Sequence, residues 1–159
     1  MVHKTVYLAG SISGLTYKQA SEWREKVKER LQEFGIKCLS PLRADVHLRN
    51  HEGLLDDKQS ISSSSPALAM STERGVVERD KYDATRCSVL FLNLLGSKKI
   101  SVGSMIEIGW ANANNIPIVL IMEKEGNMHD HAFVRETCAF RTDDLSEGIE
   151  IVRAILGDY

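Results

Sequence analysis

Residues 6–14 have the sequence Val6-Tyr7-Leu8-Ala9-Gly10-Ser11-Ile12-Ser13-Gly14, a short apolar run that ends in a turn with two glycines. An apolar run bounded by glycine predicts a buried strand. A second run, Val89-Leu90-Phe91-Leu92, is apolar at every position. Continuous apolar runs are typical of parallel strands that helices cover on both faces of a sheet. The two segments therefore predict a parallel sheet within an α/β domain.

Helical patterns alternate with strand patterns along the rest of the chain. Thr16 and Gln19 fit a capping box, after which apolar residues recur at helical spacing from Ala20 to Phe34, and Gly35 ends the helix. Further strands are predicted at 36–39, 116–122 and 137–140, and further helices at 73–86, 102–114 and 145–156. This order implies right-handed crossovers and a flavodoxin-like or Rossmann-like three-layer sandwich, with a parallel sheet of about five strands.

Length and composition exclude several classes of protein. The 159 residues suit a single domain spanning 1–159, and the net charge of -2 disfavours a nucleic-acid binder with a general basic surface. No stretch approaches the roughly 20 apolar residues needed to span a bilayer, and the chain starts without an apolar leader. The three cysteines (Cys38, Cys87 and Cys138) lack CxxC spacing, which favours buried free thiols. We therefore expect a cytoplasmic protein without a nucleic-acid or membrane partner.

The segment from about residue 43 to residue 74 is the least regular part of the chain. It contains two histidines and the serine tract Ser60–Ser65. Because a structureless loop of this length is unusual in a compact domain, we expect the segment to be partly helical, with a mobile serine-rich section. Loops of this kind often close over a ligand, although the role of the serine tract stays open.

The loops after the strands are the expected binding site, because ligands of parallel α/β sheets bind at the carboxyl ends of the strands. We expect Gly10–Gly14, Asn93–Gly103 and the segment after Met122 to converge on one pocket. Free backbone N–H groups and serine hydroxyls in the first of these loops can hold a phosphate, and a tight turn without a ligand is the alternative. The candidate binding residues in this turn are Gly10, Ser11, Ile12, Ser13 and Gly14.

The most unusual carboxylate is Glu107, within Ser101-Val102-Gly103-Ser104-Met105-Ile106-Glu107-Ile108-Gly109-Trp110-Ala111. Ser101 and Gly103 lie at the predicted helix N-terminus, where unpaired N–H groups and the helix dipole favour an anion. A carboxylate in so apolar a helix is costly unless it faces a cleft or has polar partners. The alternative is a glutamate on the solvent face of an amphipathic helix.

Asp80 is the second candidate carboxylate. It lies in the charged run Glu78-Arg79-Asp80-Lys81-Tyr82-Asp83, and such runs usually form a solvated helix face. If Asp80 instead lies near the carboxyl edge of the sheet, it can form an acid and nucleophile pair with Glu107. Retaining glycosidases hold such a pair about 5–5.5 Å apart.

His129-Asp130-His131 has histidines two positions apart on a predicted loop. Without matching Cys or His residues elsewhere in the chain, this spacing is weak evidence for a metal site. We therefore expect surface histidines here and no metal site.

At this point the sequence resembles a known family, the nucleoside 2-deoxyribosyltransferase superfamily, which includes deoxynucleoside 5′-monophosphate N-hydrolases and cytidylate hydrolases. The resemblance covers nearly the whole chain and concentrates in three places. Val6–Ser11 is similar to the first strand and its glycine loop, and Asp80, eight positions before Ser88-Val89-Leu90-Phe91-Leu92, lies where the family keeps an acid. Ser101–Ala111, followed by Asn115-Ile116-Pro117-Ile118-Val119, is similar to the family's "S-x-G-T-x-x-E-[IL]-G-x-A…G-K-P" block.

The resemblance implies roles for the candidate residues. Glu107 would be the nucleophile that attacks the anomeric carbon of the sugar and holds a glycosyl-enzyme intermediate. Asp80 would assist the departing base or bind a sugar hydroxyl, and Tyr7 would orient Glu107. The terminal Tyr159 would correspond to the last tyrosine of certain transferases, which reaches into the active site. Relatives also form dimers or larger oligomers in which a neighbour's loop closes the pocket, and Gly126–Arg135 is the candidate for that exchange.

Several positions depart from the family pattern and bear on the substrate. Ser13 stands where some nucleotide hydrolases have a phosphate-binding arginine, whereas Ser101 matches a serine that contacts the phosphate in those hydrolases. Arg43, just after the second strand, can supply positive charge from a different position. Asn93 stands where several transferases have an acidic residue that contacts the base, and Ser104 replaces the usual Thr or Gly, a mild change.

Three functions are consistent with the sequence. The first is a nucleoside 2-deoxyribosyltransferase, which Ser13 in place of arginine favours slightly. The second is a nucleotide N-hydrolase, in which water resolves the same intermediate. The third is a non-catalytic nucleotide sensor on the same fold, which the presence of both Glu107 and Asp80 disfavours. An NAD-cleaving relative is a more remote alternative. All of these take a small nucleoside or nucleotide as ligand, and the chemistry that the resemblance implies needs neither a metal ion nor an organic cofactor.

Overall fold

Five parallel strands form the centre of the structure, a computed structural model that describes residues 4–43, 45–56 and 72–157. The strands are β1 (Thr5–Gly10), β2 (Lys37–Leu39), β3 (Val89–Asn93), β4 (Ile118–Ile121) and β5 (Phe140–Thr142). They lie in the order β2-β1-β3-β4-β5, and every neighbouring pair is parallel. The predicted flavodoxin-like α/β sandwich is therefore confirmed.

Helices cover both faces of this sheet. They are α1 (Tyr17–Gln32), α2 (Glu73–Ala84), α3 (Val102–Ala113), α4 (Ala132–Thr137) and α5 (Leu145–Leu156), with a short 3-10 helix at Val46–Asn50. One core lies between the sheet and helices α1 and α5, and a second lies between the sheet and helices α2, α3 and α4. Both faces of the central strands are therefore buried, which explains their continuous apolar sequences.

Side chains of β1 alternate between the two cores. Leu8 packs with Val27 of α1, whereas the neighbouring Tyr7 packs with Ile108 of α3. Because successive residues of a strand point to opposite faces, the position of Tyr7 in β1 fixes the direction of its side chain toward α3. The order of the strands also reverses between β1 and β3, and ligands of open α/β sheets bind in the crevice at such a point.

The structure confirms some local predictions and corrects others. Thr16 and Gln19 form the predicted capping box at the start of α1. The fifth strand begins at Phe140, three residues later than expected, because the residues before it form α4. Cys87 and Cys138 are buried free thiols as predicted, but Cys38 is only half-buried because β2 lies at the edge of the sheet.

The irregular segment after β2 is described as far as residue 56. It contains the 3-10 helix, and a bridge from Leu54 to Thr16 attaches it to the loop after β1. This part agrees with the expectation of partial helicity. The serine tract Ser60–Ser65 and its expected mobility lie outside the described residues, as does Tyr159. Within the described ranges, no helix combines the length and apolarity needed to cross a membrane.

Gly148 provides a test of the packing of α5 on the sheet. A Cβ atom at this position would lie 2.3 Å from Ile121 Cδ1 and 3.1 Å from Phe91 Cε2, both in the buried core. We therefore expect Gly148→Ala to lower the free energy of unfolding by about 1–3 kcal/mol, measured by urea denaturation.

Gly109 of α3 is the matched control, because a Cβ atom there would have no neighbour within 4 Å. Gly109→Ala should raise the free energy of unfolding by up to about 1 kcal/mol through helix propensity. Equal effects of the two substitutions would contradict the packing described for α5.

Candidate active site

The centre of the candidate site is a buried hydrogen bond between β1 and α3. The Tyr7 hydroxyl donates to Glu107 Oε1 over 2.7 Å, and the two residues are 0% and 7% exposed. Glu107 lies in the second turn of α3, and packing of Ile108 and Ala111 on the sheet holds this helix in place. Glu107 is therefore not the solvent-facing residue of the alternative considered from the sequence.

The surroundings of Glu107 favour its protonated form. Burial, followed by the charge of Asp80, raises the pKa of Glu107 to about 8, although the Tyr7 hydrogen bond and the charge of Arg24 oppose this rise. Burial and the neighbouring Glu107 also raise the pKa of Tyr7, so its hydroxyl stays a donor. The Glu107 carboxyl thus titrates near neutral pH, where a carboxylate of this kind can act as a nucleophile or a base.

Asp80 of α2 faces the same cavity as Glu107. Its side chain is 15% exposed, and Arg79 Nε lies 3.2 Å from Asp80 Oδ1. Burial raises the pKa of Asp80 to about 6, and the charge of Arg79 limits this rise. Arg79 also donates to the carbonyl of Pro41, so its guanidinium is fixed between α2 and the segment after β2. The site therefore contains two coupled carboxyl groups that can share one proton near neutral pH.

A cavity of about 670 Å³ lies over these groups, which is a suitable volume for a small organic ligand. Its walls come from the loop after β1, the segment after β2, α2, and the loop and first turns of α3. Most of the residues selected from the sequence meet here. Those lining the cavity are Gly10, Ser11, Ile12, Ser13, Asp80, Ser101, Gly103 and Glu107.

Polar groups cluster at one side of the cavity, around the loop after β1. Lys99 Nζ donates to Ser13 Oγ over 2.9 Å, and Ser11 Oγ lies 3.1 Å from Ser97 Oγ. The N-terminus of α3 lies at the same side, with Ser101 as its N-cap. An ammonium group, hydroxyls and a helix N-terminus are typical components of an anion-binding site.

Other candidates lie outside the cavity lining. Arg43 forms an ion pair with Asp83, with Nη2 and Oδ2 separated by 2.6 Å. The Asn93 side chain accepts a hydrogen bond from the Leu95 N–H. Gly14 has a φ of +86°, and a Cβ atom there would lie 2.8 Å from Lys99 Cε, so the lysine crosses directly over this glycine.

Sequence reasoning did not select two basic residues of the site, Lys99 and Arg24. Lys99 lies within Asn93–Gly103, a loop that was expected to reach the pocket because it follows the carboxyl end of a strand. The sequence therefore did indicate that Lys99 is near the site. Arg24 is 1% exposed and donates to the carbonyls of Leu8, Gly10 and Ala20. The position of Arg24 among the apolar residues of α1 was the feature of the sequence that indicated its burial.

The two histidines of residues 129–131 differ in environment. His131 is exposed, as predicted, and caps α4. His129 is only 3% exposed, so the prediction of a surface residue was wrong; Asn127 and the backbone of Ser101 enclose its ring. Among the residues that the structure describes, no three His, Cys, Asp or Glu side chains are grouped as a metal site would require.

Comparison with known proteins places the chain in a family. A sequence model described as nucleoside 2-deoxyribosyltransferase matches residues 6–151. Because this match covers most of the chain, the protein belongs to the nucleoside 2-deoxyribosyltransferase family. A search among curated proteins finds no match.

Three solved structures illustrate the range of proteins with this fold. A 2-deoxyribosyltransferase from Bacillus psychrosaccharolyticus has a TM-score of 0.58 and 14% identity, covering 90% of this chain and 88% of that one. A CMP N-glycosidase from Clostridium botulinum has a TM-score of 0.54 and 18% identity, covering 95% and 98%. A molybdenum cofactor binding protein from Rippkaea orientalis has a TM-score of 0.60 and 16% identity, covering 98% and 99%. At these identities, the likeness shows a shared fold.

Burial of Glu107 should cost stability in a pH-dependent manner. A carboxyl group whose pKa rises from 4.5 in the unfolded chain to about 8 in the folded protein destabilises the fold as pH increases through that interval. We therefore expect Glu107→Gln to raise the free energy of unfolding by on the order of 2 kcal/mol at pH 8, and by much less at pH 4.

The measurement is urea denaturation across this pH range. Tyr7→Phe is the control, because it removes the hydrogen-bond donor and leaves the buried carboxyl in place. A Glu107→Gln variant that is no more stable than wild type at pH 8 would contradict the raised pKa of Glu107.

Proposed function

We propose that the protein cleaves the N-glycosidic bond of 2′-deoxynucleosides and transfers the deoxyribosyl group to a second base through a glycosyl-Glu107 intermediate. The observation that carries the proposal is the buried Tyr7–Glu107 hydrogen bond at the wall of a ligand-sized cavity that also contains Asp80. Membership of the family and the similar 2-deoxyribosyltransferase structure support it.

In the first half of the reaction, ionised Glu107 attacks the anomeric carbon of the sugar. A bond forms between a carboxylate oxygen and this carbon, and the bond from carbon to the base nitrogen breaks with its electron pair going to the base. Asp80, protonated at this stage, donates its proton to the departing base. Tyr7 orients the Glu107 carboxylate through its hydroxyl.

In the second half, a nitrogen of another base attacks the same carbon and displaces Glu107. Asp80, now ionised, accepts the proton that this base loses, which restores the starting protonation of both carboxyl groups. The reactive enzyme therefore has one proton on the pair, located on Asp80. The raised pKa values, about 8 for Glu107 and about 6 for Asp80, support a singly protonated pair near neutral pH, with the proton on Glu107 in the resting enzyme. The proton therefore moves from Glu107 to Asp80 before the attack, so the reactive form is the minor tautomer of the pair.

We assign the remaining candidates according to the cavity wall. The loop after β1 and the N-terminus of α3 would bind the sugar and its 5′ substituent, because their polar groups surround one side of the cavity. The residues proposed to bind substrate there are Gly10, Ser11, Ile12, Ser13, Ser101 and Gly103. Arg43 and Asn93 are assigned no direct contact, since their side chains are used in bonds outside the cavity lining.

A second candidate function is hydrolysis of a nucleoside 5′-monophosphate, with water in place of the second base. The specific observation in its favour is Lys99, whose ammonium group reaches Ser13 Oγ at the cavity wall. Lys99, in the loop before α3, thus supplies a positive charge beside Ser13, the position at which some nucleotide hydrolases have an arginine. The CMP N-glycosidase of similar structure also favours this alternative.

A homo-oligomer is a further proposal, based on the family resemblance. In this chain, Met128 and Phe133 are exposed apolar residues of the segment expected to reach a neighbour, at 45% and 78% exposure. Within the same segment, Asp130 pairs with Arg135 and Arg141 of its own chain. A fully active enzyme that light scattering shows to be monomeric would contradict this proposal.

The activity is tested by chromatography of reactions that contain single deoxynucleosides or their 5′-monophosphates, with and without a second free base. We expect base exchange by wild type and a loss of at least about 10³-fold for Glu107→Ala, because the nucleophile is removed. Asp80→Asn should lose about 10²-fold or more, because it can neither donate nor accept the proton.

The outcomes distinguish the candidate functions. Base exchange without a phosphate supports the transferase, and free base from monophosphates alone supports the hydrolase. If wild type and Glu107→Ala are equally inactive on every substrate, the catalytic proposal fails and a non-catalytic binding protein is the better description.

Lys99→Met tests the anion-binding side of the cavity. We expect this substitution to raise the KM for a 5′-monophosphate by about tenfold, because a charge-assisted contact is lost, and to leave the KM for the nucleoside unchanged. Lys98→Met is the matched control, since Lys98 is also exposed but does not line the cavity. An equal effect of both substitutions, or none for Lys99→Met, would count against binding of a phosphate at Lys99.

A further inference from the structure

We propose that His129 is a positioning residue whose neutral imidazole, acting as a hydrogen-bond acceptor, holds the N-terminus of α3 against the cavity. The proposal rests on the function proposed above only for its effect on turnover. His129 is buried, and its Nε2 atom accepts a hydrogen bond from the Ser101 N–H over 2.8 Å. Its ring does not line the cavity, so any effect on a ligand must act through Ser101.

The N-terminus of α3 is a part of the cavity wall that needs such support. Ser101 is the N-cap of this helix, and its hydroxyl donates to Ser104 Oγ over 2.9 Å. Ser101, Gly103 and Ser104 line the cavity, as does Glu107 one turn further along the same helix. The orientation of the Ser101 peptide therefore sets both the polar groups at the helix terminus and the start of the turn that leads to the nucleophile.

The hydrogen bond to Ser101 determines the tautomer of His129. A backbone N–H is only a donor, so Nε2 must present a lone pair and the ring proton must lie on Nδ1. Nδ1 is 2.9 Å from Asn127 Oδ1, which can accept that proton, and Asn127 Nδ2 donates to Glu123 Oε2 over 2.6 Å. The donors therefore follow one direction, from the helix N-terminus through His129 and Asn127 to a carboxylate.

The same network holds the loop after β3. Asn127 Nδ2 also donates to the Leu94 carbonyl over 2.8 Å, and Glu123 Oε1 accepts from the Gly96 N–H over 2.6 Å. The next residue of this loop, Ser97, contacts Ser11 on the opposite wall. His129 thus belongs to a set of partly buried polar groups that joins the segment after β4, the loop after β3 and α3.

Protonation of His129 would turn its Nε2 atom from a hydrogen-bond acceptor into a donor. An N–H at Nε2 would face the N–H of Ser101, so two donors would oppose each other and the acceptor would be lost. Burial holds the pKa of His129 below its usual 6.5, and the charge of Glu123 opposes this shift. The neutral form and its stabilising contact are therefore present above pH 6.5, and are lost as the pH falls through the lowered pKa of His129.

Other charged groups around His129 are already paired or lie outside this contact. Hydrogen bonds from Asn127 and Gly96 outweigh burial and keep the pKa of Glu123 low, with a further contribution from Lys98. Asp130, the next residue, forms ion pairs with Arg135 of α4 and Arg141 of β5. Asp80 of the cavity wall, with its pKa raised to about 6, also titrates in the acid range, so only the part of the acid change that a substitution of His129 removes belongs to the imidazole.

Two substitutions of His129 separate its acceptor function from its bulk. His129→Gln retains an acceptor oxygen and does not titrate in the acid range, whereas His129→Leu fills the space without an acceptor. We expect His129→Leu to raise the KM by about tenfold at pH 7 with a smaller change in kcat. His129→Gln should have the wild-type KM at pH 7 and a smaller increase in KM than wild type as the pH falls below 6.5.

His51→Gln is the matched control, because His51 caps the end of the 3-10 helix Val46–Asn50, does not line the cavity and lies outside Gly126–Arg135. It should retain the wild-type KM and its acid increase. If His129→Leu has the wild-type KM throughout this pH range, or if His129→Gln is as impaired as His129→Leu at pH 7, the positioning function is wrong.

Nitrogen-15 NMR of the histidine rings tests the inference without any turnover. At pH 7 we expect an unprotonated Nε2 and a protonated Nδ1 for His129, both in wild type and in Glu107→Gln. A proton on Nε2 at pH 7 would overturn the inference even if the enzyme is fully active. If the expected tautomer is observed in a protein that cleaves no substrate, the proposed function fails while the contact between His129 and α3 stands.

Discussion

The hydrogen bond between Tyr7 and Glu107 connects the fold to the chemistry proposed for this protein. Tyr7 can reach α3 only because β1 is a central strand whose alternate residues face that helix. Glu107 can be buried only because a hydroxyl is present to satisfy one of its oxygens. A carboxyl group can therefore line the cavity only because three features occur together. These are the parallel sheet, the packing of α3 on the sheet and the direction of the Tyr7 side chain.

The sequence was sufficient for the sheet and for much of the cavity wall. The apolar runs of β1 and β3 predicted covered parallel strands, and the rule that ligands bind at the carboxyl ends of strands selected residues 10–13 and the start of α3. These features depend on local pattern and on general rules of topology. The orienting role proposed for Tyr7 came from family resemblance, because nothing within an apolar run of four residues distinguishes a core tyrosine from an orienting one.

The residues that sequence reasoning missed depend on contacts between distant segments. His129 looks like a surface residue in a loop, and only the approach of Ser101, 28 positions away, makes it a buried acceptor. Lys99 likewise acquires its position from a serine 86 residues earlier in the chain. Hydrogen bonds of this kind leave no periodic signal, since they require two particular side chains and not a repeated apolar pattern.

Arg24 gives the cavity an electrostatic property that its walls alone would not have. Its guanidinium lies beneath the loop after β1, bonded to main-chain carbonyls of Leu8, Gly10 and Ala20, and burial lowers its pKa to about 10. At neutral pH it is therefore a permanent cation that Glu107 and Tyr7 sense through the protein interior, where charges interact more strongly than in water. The acidity of Glu107, the proposed nucleophile, is thus set partly from the opposite face of the sheet, so changes in α1 can alter this acidity without changing any surface that a ligand touches.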